Sequence, residues 1–246
     1  MEAYKIDINC DVGEGIGNEA ELMPYISSCN IACGGHAGDE SSMREVVRLA
    51  KKYNVRIGAH PSFPDKENFG RKVMNMSCAA LFQSLEGQII TLKSIMRKEN
   101  QQLHHVKPHG ALYNLAAVDE EVARVVVEVM KRFHLPLKLY VPFGSVVADI
   151  AIKENISITY EAFADRNYNA DLTLVSRQKD NALITDPNKI FDHVYRMIRT
   201  GKVRTLDGVE VEIKAETFCV HGDNPKAMEL VKKLTKELAD NNVKIL

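Results

Sequence analysis

The sequence contains no run of 18 consecutive apolar residues, so nothing in it reads as a membrane span. It also has no surplus of charge: 32 basic residues stand against 33 acidic ones, a formal net charge of -1. Neutralising a nucleic-acid backbone needs an excess or a dense patch of positive charge, so no nucleic-acid partner is expected. The mild basic cluster of Arg48, Lys51, Lys52 and Arg56 reads as a solvated helix end. Cysteine is sparse and has no pairing pattern. Five residues (Cys10, Cys29, Cys33, Cys78 and Cys219), an odd number with no CxxC, exclude a disulfide framework and suit a reducing compartment. The amino terminus enters a strand pattern almost at once, with no charged and apolar leader, so the expected location is the cytoplasm. Several catalytic signatures are missing as well: GxGxxG, the GK[ST] of a phosphate loop, the GxSxG elbow and HExxH.

What is present is alternation. At 246 residues and 45% hydrophobic composition, the chain can bury a core as a single domain spanning 1–246. Short apolar runs at Tyr4–Asn9, Cys29–Ala32, Val55–Ala59, His104–Lys107, Leu137–Val141, Ser157–Tyr160 and Ala215–Val220 read as strands, with a short one at Leu172–Val175. Between them lie helical stripes: Ser42–Tyr53, Cys78–Glu99 and Glu120–Lys131 after an Asp119 cap. Asp186-Pro187 opens another helix, and Asp223-Asn224-Pro225 is expected to open the last. Asp207-Gly208 predicts a small hairpin within Lys202–Glu212, whereas Ala162–Thr185 has no clear pattern. Repeated βα units make the fold α/β, and pattern alone does not separate a closed barrel from an open sheet.

Polar residues gather where the strands end: Asn9 and Asp11, His36, His60, Lys107 and His109, Glu161 and Arg166, His221 and Asp223. Loops at the carboxyl ends of barrel strands build active sites, so this recurrence predicts a shared pocket. Asp11, His36 and His60 could hold a divalent metal, and the same trio serves metal-free acid–base chemistry equally well. Asp11 and Glu161 are candidate acid–base carboxylates. Lys107 and Arg166 suit a substrate carboxylate or phosphate or a developing oxyanion, and internal ion pairing with Glu161, Asp11 or Asp165 is an equal alternative. Gly13, Gly15 and Gly17 form a glycine run that tempts a nucleotide reading, but Glu14 inside it would repel phosphate. Cys33 is a candidate reactive thiol, and His104, His105, His134 and His193 read as structural or surface residues.

Seven ordered blocks carry a resemblance over about residues 5–240. They are Ile8-Asn9-Cys10-Asp11 through Gly13-Glu14, Ile31-Ala32-Cys33-Gly34 with His36-Ala37-Gly38-Asp39, and Ile57-Gly58-Ala59-His60-Pro61. Phe69-Gly70-Arg71, His105 through Tyr113 (HVKPHGALY), Glu161 through Arg166 (EAFADR) and Cys219-Val220-His221-Gly222-Asp223 complete them. The chain thereby resembles the LamB/YcsF family. That resemblance implies a distorted seven-stranded (β/α) barrel of the glycoside hydrolase/deacetylase type. It also implies ATP-dependent hydrolysis of the 5-oxo-L-proline lactam to L-glutamate, ADP and phosphate, with Mg2+ accompanying ATP. PxpB-like and PxpC-like subunits are the implied partners and share in forming the nucleotide site. On this reading Asp11, His36, His60 and Glu161 are catalytic, and Asn9, Lys107, His109, Arg166, His221 and Asp223 bind substrate. Gly13, Gly15 and Gly17 would meet the nucleotide. Two rival readings stand beside it: a metal-dependent amidohydrolase that needs no ATP, and a non-catalytic binding or scaffolding subunit. The chain departs from the family pattern at Gly35, where phenylalanine precedes the histidine, and at Ser62-Phe63 in place of glycine–tyrosine. Glycine at position 35 is expected to widen the pocket or loosen its loop.

Overall fold

The computed structural model describes residues 4–133 and 136–246, so His134 lies outside the described residues. Seven parallel strands close into a barrel: β1 (Tyr4–Val12), β2 (Ser28–Ala32), β3 (Arg56–His60), β4 (Leu103–Val106), β5 (Lys138–Pro142), β6 (Ile158–Phe163) and β9 (Thr217–Val220). Closure comes from β9 lying between β6 and β1, with Glu161 opposite Thr217 and Asn9 opposite Cys219. A closed barrel removes both sheet edges, which settles the choice that periodicity left open.

Helices α1 (Glu19–Leu22), α2 (Glu40–Tyr53), α3 (Cys78–Lys98), α4 (Gly110–Ala116), α5 (Glu120–Lys131), α6 (Val146–Lys153), α7 (Pro187–Thr200) and α8 (Ala227–Asp240) pack outside. Their starts follow local chemistry. Asp39 rather than Ser42 caps α2, accepting from the Ser42 amide at 2.9 Å, while Ser42 closes the reciprocal bond to the Asp39 amide. Asp119 and Asp186 cap α5 and α7 as expected, with Pro187 in the first turn of α7. The 223–225 cap is not formed: Asn224 closes a turn onto the Lys226 amide, and α8 starts two residues after Pro225. The predicted hairpin forms as β7 (Lys202–Arg204) against β8 (Glu210–Glu212). A short β10 (Val243–Ile245), absent from the sequence reading, extends the sheet beside the start of β1. The strand expected at Leu172–Val175 reduces to a single bridge between Leu174 and Tyr168, because Leu172 adopts a left-handed backbone (φ 64°).

The barrel's interior is polar. Along β1, Ile6, Ile8, Cys10 and Val12 join the hydrophobic core, while the alternating Asp7, Asn9 and Asp11 are buried and bond to side chains of other strands. In the lowest tier Asp7 accepts from Ser28 Oγ at 2.6 Å, Thr217 Oγ1 at 2.5 Å and Arg56 Nη2 at 2.8 Å. In the middle tier Asn30 donates to Asn9 at 2.7 Å, and His105 Nε2 donates to the Asn30 carbonyl at 2.7 Å. The His105 ring stacks on Tyr140 at 3.9 Å. Gly58 makes room for it: a Cβ there would stand 2.1 Å from His105 Nε2. No helix among the described residues is long and apolar enough to cross a membrane.

Candidate active site

Above these tiers, at the carboxyl ends of the strands, opens a cavity of about 770 Å3. Asp11 and Glu161 belong to its floor because β1 and β6 run farther than periodicity suggested, so both carboxylates stand on strands instead of in loops. Between them lies Lys107, fully buried, with Nζ 3.0 Å from Asp11 Oδ1, 3.0 Å from Glu161 Oε1 and 3.0 Å from Cys219 Sγ. Burial alone would lower the Lys107 ammonium, but Asp11, Cys219 and Glu161 outweigh it and hold the group charged, well above the usual lysine range. Burial alone would likewise raise Asp11, but His60 and Lys107 hold its carboxyl well below the usual range. Lys107 is therefore a counter-ion locked between two carboxylates, which matches the internal-pairing reading and leaves little of it for a substrate carboxylate.

Asn9 is also spent internally. Its amide donates to Glu161 Oε1 at 2.9 Å and Thr217 Oγ1 at 2.7 Å, and its carbonyl accepts from Asn30. It braces the floor from below and does not line the cavity. Arg166 lines the wall, yet its guanidinium donates to the Val175 carbonyl at 2.6 Å and the Ala182 carbonyl at 3.3 Å. Its visible work is to pin the patternless 162–185 stretch over the site. Burial first, then Arg177, lowers Arg166 to about 10.

Three imidazoles cluster at one wall, His60 and His109 lining it and His36 behind them. His36 and His109 stack with ring centres 3.6 Å apart and planes within 3°, and His60 stands edge-on to both. The carboxylate among them is Glu14, which lies 2.9 Å from His36 Nε2 and 3.4 Å from His109 Nδ1. Burial first, and the nearby Asp11 second, push the Glu14 carboxyl up to about 7. Burial lowers His36 to about 4 and His109 well below the usual histidine range, so both rings are neutral at pH 7. Glu14, His36, His60 and His109 each bring one donor atom within 4.8 Å of the others, the chemistry of a divalent-metal cradle. The expected trio of Asp11, His36 and His60 is drawn differently. Asp11 Oδ2 does lie 3.5 Å from His60 Nε2, but its other oxygen is held by Lys107 and Asn30.

On the opposite wall His221 Nδ1 donates to Asp165 Oδ1 at 2.8 Å, and the ring stacks on Phe163. Asp165 is fully buried and also accepts from the Asn224 amide at 3.0 Å. Burial would raise its carboxyl, but His221 and Asn224 keep it below the usual range. This is a carboxylate-oriented imidazole whose Nε2 is left for the cavity. At the rim Asp223 accepts from Arg71 and, at 3.2 Å, from Arg177.

Other expectations move away from the chemistry. Gly13, Gly15 and Gly17 all have left-handed φ, but they do not line the cavity and only Glu14 of this loop enters it. The loop turns its carboxylate inward, while Gly15 and Gly17 face solvent and Gly13 is buried beside Ile31 and Val46, the opposite of a phosphate cradle. Cys33 is buried and its thiol is pushed up to about 12, so it is an inert core residue. Gly35 does not widen the pocket: a Cβ there would stand 2.5 Å from both Gln88 Oε1 and Ser62 Oγ. Gln88 and Ser62 exchange two hydrogen bonds in that space, at 3.0 and 2.9 Å, so the two departures from the family pattern touch one another. Sequence reasoning missed Tyr113, although it ends one of the seven blocks, because it falls in a helix. Neither its hydroxyl nor Glu161 Oε2, both buried at the cavity wall, has a well-aligned hydrogen-bond partner, but the two are neighbours: burial first, and the Glu161 carboxylate second, push the phenol well above its usual range.

A closed parallel (β/α) barrel with buried carboxylates and imidazoles around a cavity at its carboxyl end has the architecture of a barrel enzyme. The LamB/YcsF family model matches residues 6–246, and the chain belongs to that family. It is 44% identical over 241 residues to the 5-oxoprolinase A subunit of Haemophilus influenzae (strain PittEE), covering 98% of each chain. Among solved structures it is similar to the lactam utilization protein from Thermus thermophilus, with a TM-score of 0.91, 39% identity and 98% of each chain covered. A GH113 β-1,4-mannanase shares the fold alone, at a TM-score of 0.52 and 10% identity over 98% of this chain and 99% of that one.

Proposed function

We propose that this chain is the A subunit of an ATP-dependent 5-oxoprolinase, which opens the 5-oxo-L-proline lactam to L-glutamate with PxpB-like and PxpC-like partners. The observation that carries this reading is the end-to-end likeness, at 44% identity, to the A subunit of a 5-oxoprolinase. The site supports it chemically. An unstrained amide resists hydrolysis; phosphorylation of the lactam oxygen by ATP activates the ring carbon for attack by water. The C–N bond then breaks to give an acyl phosphate, and a second water releases phosphate and L-glutamate. The residues of this chain then have separable tasks. Glu161 and the Tyr113 hydroxyl are neighbours at the cavity wall, and a substrate entering beside them would meet the carboxylate with its ring N–H and the hydroxyl with an oxygen. His221, oriented by Asp165, takes a proton from the attacking water and returns one to the ring nitrogen as the C–N bond breaks. The Asp11–Lys107–Glu161 group keeps fixed charge beside the reacting carbon without reorganisation.

The cavity is far larger than a five-membered lactam, leaving space for the donor's phosphates. The cations that line its mouth are Arg71, Lys72 and Arg177, and they are better placed for phosphate than the glycines, none of which lines the cavity. With Asp223 already engaging two of these three, the partner subunits are expected to complete the nucleotide site. The test is 5-oxoproline-dependent ADP release by the chain with and without its partners. Stoichiometric glutamate and ADP from the complete complex are expected, and a complete complex that turns over neither would refute the reading.

A further inference from the structure

We propose that Glu14, His60 and His109 bind one divalent transition-metal ion at the cavity wall, with His36 acting as the positioning residue that holds Glu14. The assignment rests on geometry and is independent of the lactam reading. His60 Nδ1 is 2.7 Å from the Lys107 carbonyl, which can only accept, so the ring must carry its proton there. His109 Nε2 is 3.0 Å from the Phe69 carbonyl and must likewise donate. In two neutral rings the remaining nitrogens, His60 Nε2 and His109 Nδ1, are both lone pairs, and they face each other at 2.9 Å. Two acceptors do not rest at that distance unless a cation, a shared proton or a metal ion, lies between or beside them. Fixing the outer N–H of an imidazole on a carbonyl is also how proteins aim the inner nitrogen at a metal.

The backbone shows the same investment. Phe69, which supplies the carbonyl for His109, sits at φ 55°, a left-handed conformation costly for a bulky residue. Its ring packs edge-on against both His36 and His109. The third donor is Glu14, 3.4 Å from His109 Nδ1 and 4.0 Å from His60 Nε2. Two imidazoles and a carboxylate suit zinc, iron, cobalt or nickel better than magnesium. Glu14, His60 and His109 line the cavity, so an ion held by them is reachable from it.

His36 belongs to the same cluster but is not a ligand. An imidazole lone pair lies in the plane of its ring, and the His36 and His109 planes are parallel and 3.6 Å apart, so they cannot both point at one ion. His36 does not line the cavity, and its Nε2–H donates to Glu14 at 2.9 Å, fixing the carboxylate from behind. Its Nδ1 is buried with no partner, which is tolerable for a neutral ring in a supporting role.

The experiment is a cobalt(II) titration of the chelator-stripped full chain, read by ligand-field absorption, together with the metal content of the protein as purified. One equivalent of cobalt with a visible band is expected. His109→Gln and Glu14→Gln should weaken cobalt binding at least 100-fold, whereas His36→Gln, which can still donate to Glu14, should weaken it about tenfold. Circular dichroism of each variant separates lost ligation from lost folding, and the wild-type titration needs no variant at all. A wild-type chain that takes up no cobalt and shows one proton shared between His60 and His109 by 15N NMR overturns the assignment. So does a band that survives His109→Gln and vanishes in a folded His36→Gln.

Discussion

The floor and the mouth of the barrel are built from the same residue types and treat them in opposite ways. On the floor the polar groups close on one another: Asp7 takes three donors, and Asn9, Asn30 and Thr217 link the tiers, with the Thr159 hydroxyl an exception. Around the cavity, at the carboxyl ends of the strands, buried polar atoms are left over: Glu161 Oε2 and Tyr113 Oη at its wall, with His36 Nδ1 behind it. Unmet hydrogen-bonding capacity in a folded interior costs free energy, so a cluster of it persists where a ligand is meant to complete it. The difference separates residues that hold the barrel open from residues that act inside it.

Substitutions should divide along this line. The largest effect is expected at the mouth: His221→Ala in the complete complex should lower turnover about 1,000-fold, the scale of a lost general base, with the urea midpoint little changed. A near-normal rate would move the proton transfer elsewhere and favour a scaffolding role for this chain. On the floor, Asp7→Ala leaves Arg56, Ser28 and Thr217 without their acceptor and should cost about 3 kcal/mol in equilibrium unfolding, while turnover per folded molecule stays near wild type. Loss of turnover without loss of stability there would erase the distinction. Asp165→Asn sits between the two classes, because it removes the carboxylate that aims His221 but can still accept a hydrogen bond. A fall of about 10- to 100-fold in kcat with little change in KM is expected, and a pure KM effect would make His221 a binding residue.

The smallest effect concerns His193, outside both regions, where Nε2 donates to the Phe163 carbonyl at 3.3 Å. Burial lowers this ring from 6.5 to about 4. The unfolded chain therefore binds a proton that the folded one refuses between those values. The contribution is complete above about pH 6.5 and is lost as pH falls toward about 4. His193→Gln should flatten that part of the urea midpoint's pH dependence; an unchanged slope would show that His193 titrates normally.

Much of the fold was legible because its signals are local. The β1 stretch alternates apolar and polar residues, the caps at Asp119 and Asp186 are one-residue signals, and Asp207-Gly208 marks its hairpin. Strand ends were less legible. Glu161 read as a loop residue because nothing in a short run says where pairing stops, and β9 sets that limit from across the barrel. Glu14 was discounted because, seen locally, a carboxylate in a glycine run only repels phosphate. Its partners lie 22 or more positions away along the chain. Arg177 had no local signal: it reaches the rim only because the 162–185 stretch folds back over the cavity.

By itself the sequence determined the alternation of strands and helices, the polar face of β1 and the set of ionisable residues near the strand ends. Those follow from backbone periodicity and side-chain chemistry, which act over a few residues. Which of those side chains pair with one another was decided only by closure. Bringing β9 against β1 and β6 buried Lys107 between Asp11 and Glu161, turned Asn9 into a brace and left His221 facing the cavity. Burial and partnership set whether a charge is spent or available, and both are properties of the closed barrel.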